Sequence, residues 1–299
     1  MLKRTIVIAS PSYLRLEYDQ LLIENTETGV IAPVPIEDVG YLILEHRQIT
    51  LTHPVLTRCL EHGVAVVVCD AAYLPAGMFL HLGQQHHIQG ERFLQQVAAT
   101  PALQETLWQQ TVRAKILNQA ILARRLGVNT WRSIERLATR VQPGDRTNCE
   151  ATAARHYWRG VFGNEFSRDP DGDPPNNLLN YGYTIVRAAT ARALVTAGLL
   201  PILGIHHRNR SNCYALADDV MEPYRPFVDG LVWELCQQTK PPETLTPSIK
   251  RRLLEVLTLD TIVDGQRSPL QIALATTAAS LAYCFAGSRS TIIFPRMPE

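Results

Sequence analysis

The chain has no C-x-x-C pair; its six cysteines (Cys59, Cys69, Cys149, Cys213, Cys236, Cys284) are scattered through 299 residues. That spacing argues against a zinc ribbon and against the disulfide framework of a small secreted domain. The opening M-L-K-R-T-I-V-I lacks the apolar run of a signal peptide. Only Pro269 to Ser288 approaches membrane-spanning length without a charge, and Gln271, Thr276, Thr277, Ser280 and Tyr283 dilute it. The expectation is a buried helix in a soluble, cytoplasmic protein. Net charge is scarce too, at +1, but it is unevenly spread. Residues 1–80 carry five Lys/Arg against nine Asp/Glu, which leaves 24 against 19 for the rest of the chain. A polyanion partner, if there is one, meets the second part.

What is present divides by period. At 46% hydrophobic, the chain can bury one large core or two ordinary ones. Thr5–Ile8, Tyr13–Tyr18, Val30–Pro35, Val39–Leu44 and Val64–Val68 read as strands, with N-T-E-T-G at Asn25–Gly29 as a turn. Pro54–His62 reads as a short helix ended by Gly63. From about Ile88 the spacing turns helical. Leu103, Leu107, Val112, Ile116, Ala120 and Ile121 mark a long helix ending near Gly127. Further helices are predicted at Trp131–Thr139, Glu150–Val161, Leu178–Leu199, Ala215–Thr239, Thr246–Leu257 and Leu270–Phe285, with a loop at Arg168–Asn177. The expected fold is α+β: a small mixed β domain over residues 1–85, then a larger all-helical domain over 86–299.

Chemistry concentrates in that second part. Asp219 and Glu222 are three apart and Asp218 and Glu222 four apart in A-L-A-D-D-V-M-E-P-Y-R-P, Ala215–Pro226, so a helix places them on one side. Carboxylates clustered among apolar neighbours resist desolvation unless a cation accompanies them. His207 ends G-I-H-H just upstream, and Glu150 opens E-A-T-A-A-R-H-Y-W. A Glu/His/Glu set with a neighbouring Asp suits Mg²⁺ or Mn²⁺. Each residue also has an ordinary explanation: a dipole-complementing glutamate, a capping histidine, a solvated acidic face. Residues His81, His86 and His87 read as a polar linker, the aspartates of Arg168–Asn177 lack the EF-hand pattern, and Cys149 and Cys213 read as packing residues.

The segments Glu150–Trp158, N-Y-G-Y (Asn180–Tyr183), G-L-L-P-I-L-G-I-H-H (Gly198–His207), Ala215–Asp229 and R-A-K-I-L-N-Q (Arg113–Gln119) closely resemble the CRISPR-associated integrase, the metal-dependent DNA endonuclease of spacer acquisition. The likeness spans nearly the whole chain and is closest to the compact form of type II systems. It implies one divalent ion, Mg²⁺ or Mn²⁺, on Glu150, His207 and Glu222, with Asp219 assisting. It implies attack by a protospacer 3′-hydroxyl on a phosphodiester at the repeat border of a CRISPR array, with a nuclease that only hydrolyses branched or single-stranded DNA as the alternative. The partners implied are double-stranded DNA, a second copy of the chain through the β domain, a small ferredoxin-like subunit, and other type II effector and accessory proteins. Arg155 and Arg225 are the expected phosphate contacts.

Overall fold

The computed structural model describes residues 3–70, 75–81, 88–207, 209, 211–238 and 241–299. The chain separates into two compact units, 1–87 and 88–299. His86, His87, Arg208 and Arg210 lie outside the described residues.

The first unit runs β1 (Arg4–Ile8), β2 (Ser12–Glu17), β3 (Gln20–Asn25), β4 (Ile31–Pro35), β5 (Val39–Leu44), β6 (Ile49–Leu51), α1 (His53–Glu61), β7 (Ala65–Cys69) and β8 (Pro75–Phe79). Strands order β1-β5-β7-β8 in one sheet and β4-β3-β2-β6 in another. Pairing is parallel through β1, β5 and β7, with β8 antiparallel on β7. Leu14 and Leu21, Val34, Leu42, Val55 and Val66 form one buried cluster, so the inward face of every main strand meets the same core. Tyr18 departs from its expected place in the second strand. It and Asp19 both have positive φ (47° and 60°) and form the two-residue turn of a β2–β3 hairpin, leaving Tyr18 93% exposed.

The second unit runs α2 (Gln89–Val97), α3 (Pro101–Arg125), α4 (Trp131–Ala138), α5 (Cys149–Phe162), α6 (Asn176–Thr196), α7 (Ala215–Met221), α8 (Arg225–Gln238), α9 (Pro247–Leu254), β9 (Asp260–Val263), β10 (Gln266–Pro269) and α10 (Leu270–Phe285). The long α3 starts where Thr100 accepts the Leu103 N–H at 3.2 Å beside Pro101, and stops at Gly127 with φ +72°. It is the spine of the unit, burying Leu107, Trp108, Val112, Ile116, Ala120 and Ala123. Helix α6 lies so close to α8 that a Cβ on Gly182 would collide with the Val228 side chain.

Two expectations change. Ala215–Thr239 is not one helix: Pro223 has no N–H to continue the ladder, and Glu222–Tyr224 form a 3₁₀ turn between α7 and α8. Nor is the second part helical throughout, because β9 and β10 pair as an antiparallel ribbon over Asp264–Gly265, both at positive φ. Among the described residues no helix is long and apolar enough to cross a membrane. Pro269–Ser288 is instead largely α10, with Leu270, Leu274, Leu281 and Phe285 packed inward.

Candidate metal and catalytic centre

Glu150 owes its position to the start of α5. The Asp145 carboxylate accepts the backbone N–H groups of Cys149 and Glu150, each at 2.9 Å, and so caps the helix that presents Glu150. Glu222 stands in the 3₁₀ turn after α7, which Asn118 of α3 fixes by donating to the Pro223 carbonyl at 2.7 Å. Between these carboxylates lies Lys115, also on α3. Its Nζ is 2.6 Å from Glu150 Oε1 and 2.5 Å from Glu222 Oε2. Arg225 pairs with the other oxygen of Glu222, Nε to Oε1, at 2.7 Å. Its guanidinium lies over the Tyr183 ring, 4.5 Å from the centroid.

Glu222 is buried, with 4% of its surface exposed. Burial opposes its ionisation, but Arg225 and Lys115 together draw its carboxyl down to about 2. Lys115 shows the counterpart: burial disfavours the ammonium, and the charges of Glu222 and Glu150 more than restore it, raising its pKa.

Asp219 is completely buried, which removes the solvated-face explanation for this residue. Its carboxylate clasps the loop G-I-H-H. Oδ2 accepts the N–H of Ile205 at 2.7 Å and of His206 at 2.9 Å; Oδ1 accepts the N–H of His207 at 3.2 Å. The same Oδ1 is 2.5 Å from His207 Nδ1, and this bond raises the histidine pKa. The neutral ring donating from Nδ1 keeps its lone pair on Nε2, the arrangement metal-binding histidines commonly have. Gly204 is required by the clasp, since a Cβ there would stand 2.9 Å from Asp219 Oδ2 and inside contact distance of the His207 carbonyl. Trp108 of α3 supports the loop from behind, stacked on His206 at 4.1 Å and edge-on to His207 at 5.9 Å.

The structure thus brings Glu150 and Glu222 onto one cation and Asp219 onto His207, and Glu222 and His207 lie within electrostatic reach of each other. It does not close Glu150, His207 and Glu222 into a cage: among the described residues no three His, Cys, Asp or Glu side chains do so. The donor set fits Mg²⁺ or Mn²⁺ nonetheless. Glu222 Oε2 is buried, receives no hydrogen bond of good geometry, and faces the point where a cation already sits.

The two expected phosphate contacts separate. Arg155 is exposed on α5, its Nη2 3.5 Å from Thr152 Oγ1. Arg225 is turned inward onto Glu222 and Tyr183. Sequence reasoning did not single out Lys115, although it lies within R-A-K-I-L-N-Q; the available signal was its place in the polar series Thr111, Lys115, Asn118 along the buried side of α3. It also passed over Asp229. That buried carboxylate accepts the hydroxyls of Tyr157 (2.7 Å) and Tyr183, and burial pushes it up to about 6. Tyr157 is on the Glu150 helix and Tyr183 lies under Arg225, so Asp229 ties the two halves of the site together. Tyr181 and Tyr183 are core residues, and Trp158 packs against Phe162 and Phe166.

Residues 5–246 match the family described as CRISPR associated protein Cas1. A CRISPR-associated endonuclease Cas1 from Neisseria meningitidis serogroup C (strain 8013) is 38% identical over 264 residues, covering 88% of this chain and 86% of that one. A second, from Pyrobaculum aerophilum, is 29% identical over 93% of this chain and 97% of its own. Among solved structures, the fold is shared with a casposase bound to integration product (TM-score 0.78, 19% identity, 98% of this chain and 92% of that one). It is shared also with a Cas1 protein from Thermotoga maritima (TM-score 0.75, 14% identity, 96% and 98%). With a family match over most of its length and a relative 38% identical across 88% of it, the chain belongs to the Cas1 family.

Proposed function

We propose that this protein is a metal-dependent DNA endonuclease and integrase that inserts protospacer DNA into a CRISPR array. The observation that carries the reading is the convergence of Glu150 and Glu222 on one largely enclosed cation, Lys115, beside a histidine whose Nδ1 is already engaged. Glu150, His207 and Glu222 would hold Mg²⁺ or Mn²⁺, which when bound supplies Lewis acidity toward a phosphodiester oxygen. The protein's own contribution is orientation. Asp219 fixes the imidazole and its loop, Asp145 fixes Glu150, and Arg225 holds one oxygen of Glu222 so that the other faces the site. In the reaction an incoming 3′-oxygen bonds to phosphorus while one P–O bond of the target strand breaks, and the departing oxygen leaves as a hydroxyl. No net bond energy is lost, so no nucleotide triphosphate is required.

The curated relatives are named endonucleases, and the structural neighbours include a casposase with its integration product, a Cas1–DNA complex and complexes containing Cas2. These support DNA and a further protein subunit as partners; duplex DNA and a small ferredoxin-like form of that subunit are what the family resemblance adds. A homodimer through residues 1 to about 85 fits the strand edges that have no pairing among the described residues of the first unit, and its exposed Val30, Ile31 and Phe79. The deciding experiment offers a duplex with a labelled 3′-end together with a repeat-containing target. Label joined to the target in the presence of Mn²⁺, and lost in Glu222→Gln, supports integration; cleavage without joining leaves only the hydrolytic nuclease.

A further inference from the structure

Lys115 is partly buried at the centre of the site, its side chain 13% exposed, in a place where the reaction described above gives it no task. Two carboxylates, Glu150 and Glu222, meet two protein cations, Lys115 and Arg225. The pair is therefore neutralised by the protein itself. The two cations are held differently. Arg225 grips Glu222 Oε1, and its guanidinium is pinned on the Tyr183 ring at the first residue of α8. Lys115 bridges both glutamates from the end of a four-carbon stem, through the very oxygens, Glu150 Oε1 and Glu222 Oε2, that face each other across the site. An ion of charge two cannot join this arrangement at small cost while the ammonium stays, because like charges would then share two carboxylates in a water-poor setting.

We propose that Lys115 is the resident counter-cation of the Glu150–Glu222 pair and that a divalent ion binds by displacing it. The proposal rests on reading the site as a metal site. It makes metal uptake an exchange of one cation for another, so intrinsic affinity is set below what the same ligands would reach without the lysine. The metal-free protein in turn keeps the buried Glu222 and the partly buried Glu150 compensated, and folding does not depend on the ion. A lysine that merely positioned the glutamates would have the opposite signature, since its loss would misplace the ligands and weaken the metal.

The test measures Mn²⁺ affinity of the full chain without DNA, from the free-ion electron paramagnetic resonance signal, and melting temperature in chelator. Lys115→Met should bind Mn²⁺ about tenfold or more tightly than the unmodified chain, because the like charge that competes for both carboxylates is gone. It should melt lower in chelator and recover with Mn²⁺. Lys115→Arg, whose planar fork grips two carboxylates more firmly, should bind Mn²⁺ more weakly than the unmodified chain. Folded Lys115→Met with equal or weaker Mn²⁺ affinity overturns the proposal. If that variant does not fold, Lys115→Arg with affinity equal to or above the unmodified chain overturns it instead. Glu150→Gln keeps the failures distinct: Mn²⁺ binding unchanged by that substitution removes the metal reading of the site, whatever Lys115 does.

Discussion

Replacing Asp219 by asparagine changes one oxygen to an NH₂ group in a pocket filled with donors. Two orientations of the amide are available. If Nδ2 replaces Oδ2, the N–H groups of Ile205 and His206 lose their acceptor, and two buried donors at about 1–3 kcal/mol each are stranded. If Nδ2 replaces Oδ1, only the longer His207 N–H contact of 3.2 Å is stranded, and Nδ2 donates to the imidazole. The second costs less, about 1–3 kcal/mol, and should prevail. It has a chemical consequence: His207 Nδ1 must now accept, so the ring proton moves to Nε2 and the lone pair offered to a metal is gone. The expected result is a folded protein with a melting temperature lower by roughly 2–10 °C, but with Mn²⁺ affinity reduced about 10–100-fold. Calorimetry reads the first quantity, Mn²⁺ titration the second, and ¹⁵N chemical shifts of the histidine ring report the tautomer. Full Mn²⁺ affinity in the Asp219→Asn protein would refute the argument and reduce Asp219 to a loop clasp.

Other outcomes follow from single contacts. Gly204→Ala should destabilise the second unit by about 1–3 kcal/mol by pushing the His207 carbonyl and the Asp219 carboxylate apart, read by denaturant unfolding; unchanged stability would mean the loop has room to yield. Asp229 is raised from 3.8 to about 6 by burial, so its contribution to stability is complete below about 3.8 and is lost as pH rises through 6. Asp229→Asn should flatten that segment of the stability–pH curve, worth about 3 kcal/mol, and an unaltered curve would reject the assignment. Arg155→Ala should lower the salt slope of DNA affinity by about one. Arg225→Ala should leave that slope unchanged and instead weaken Mn²⁺ binding, because its guanidinium is committed to Glu222.

What could be read from the sequence was what short spans encode. Alternation marked β2, apolar runs marked β5 and β7, and helical spacing marked the body and end of α3 and the helix opening at Glu150, because neighbours in sequence settle those. The Glu222–Arg225 pair has the same local origin, being three residues apart, although Arg225 had been expected on a phosphate. Tyr18 was misplaced because strand alternation continues smoothly into a two-residue turn whose only mark is an Asp. The β9–β10 ribbon did carry a signal, Asp264–Gly265 between Val263 and Gln266, which the helical period on either side obscured. Lys115 was not legible as a site residue. Its partners are 35 and 107 positions away, and nothing in a helix period states which distant carboxylate will face it. The ligand identities came from motif resemblance; their supports, Asp145, Trp108, Asn118 and Asp229, came only from the fold.

The supports explain why the acidic cluster is tolerable. The sequence poses it as a problem of repulsion solved by an external cation, yet each carboxylate has its own internal solution. Asp219 is satisfied by three backbone N–H groups and an imidazole; Glu222 is charge-compensated by an ammonium and a guanidinium, Asp229 is partly compensated by two phenols, and Glu150 pairs with the same ammonium at its helix start. Those partners come from α3, α5, α6, α8 and the histidine loop, so the charges also fasten the elements that carry them. Distribution of this kind has a chemical effect. Asp219 and Asp229 are held by hydrogen bonds and Arg225 by its charge pair and the Tyr183 ring, whereas Glu150 and Glu222 share a single lysine ammonium. The proposed exchange of cations at that one point would leave the surrounding lattice of bonds intact, as a site that takes up and releases an ion without unfolding around it requires.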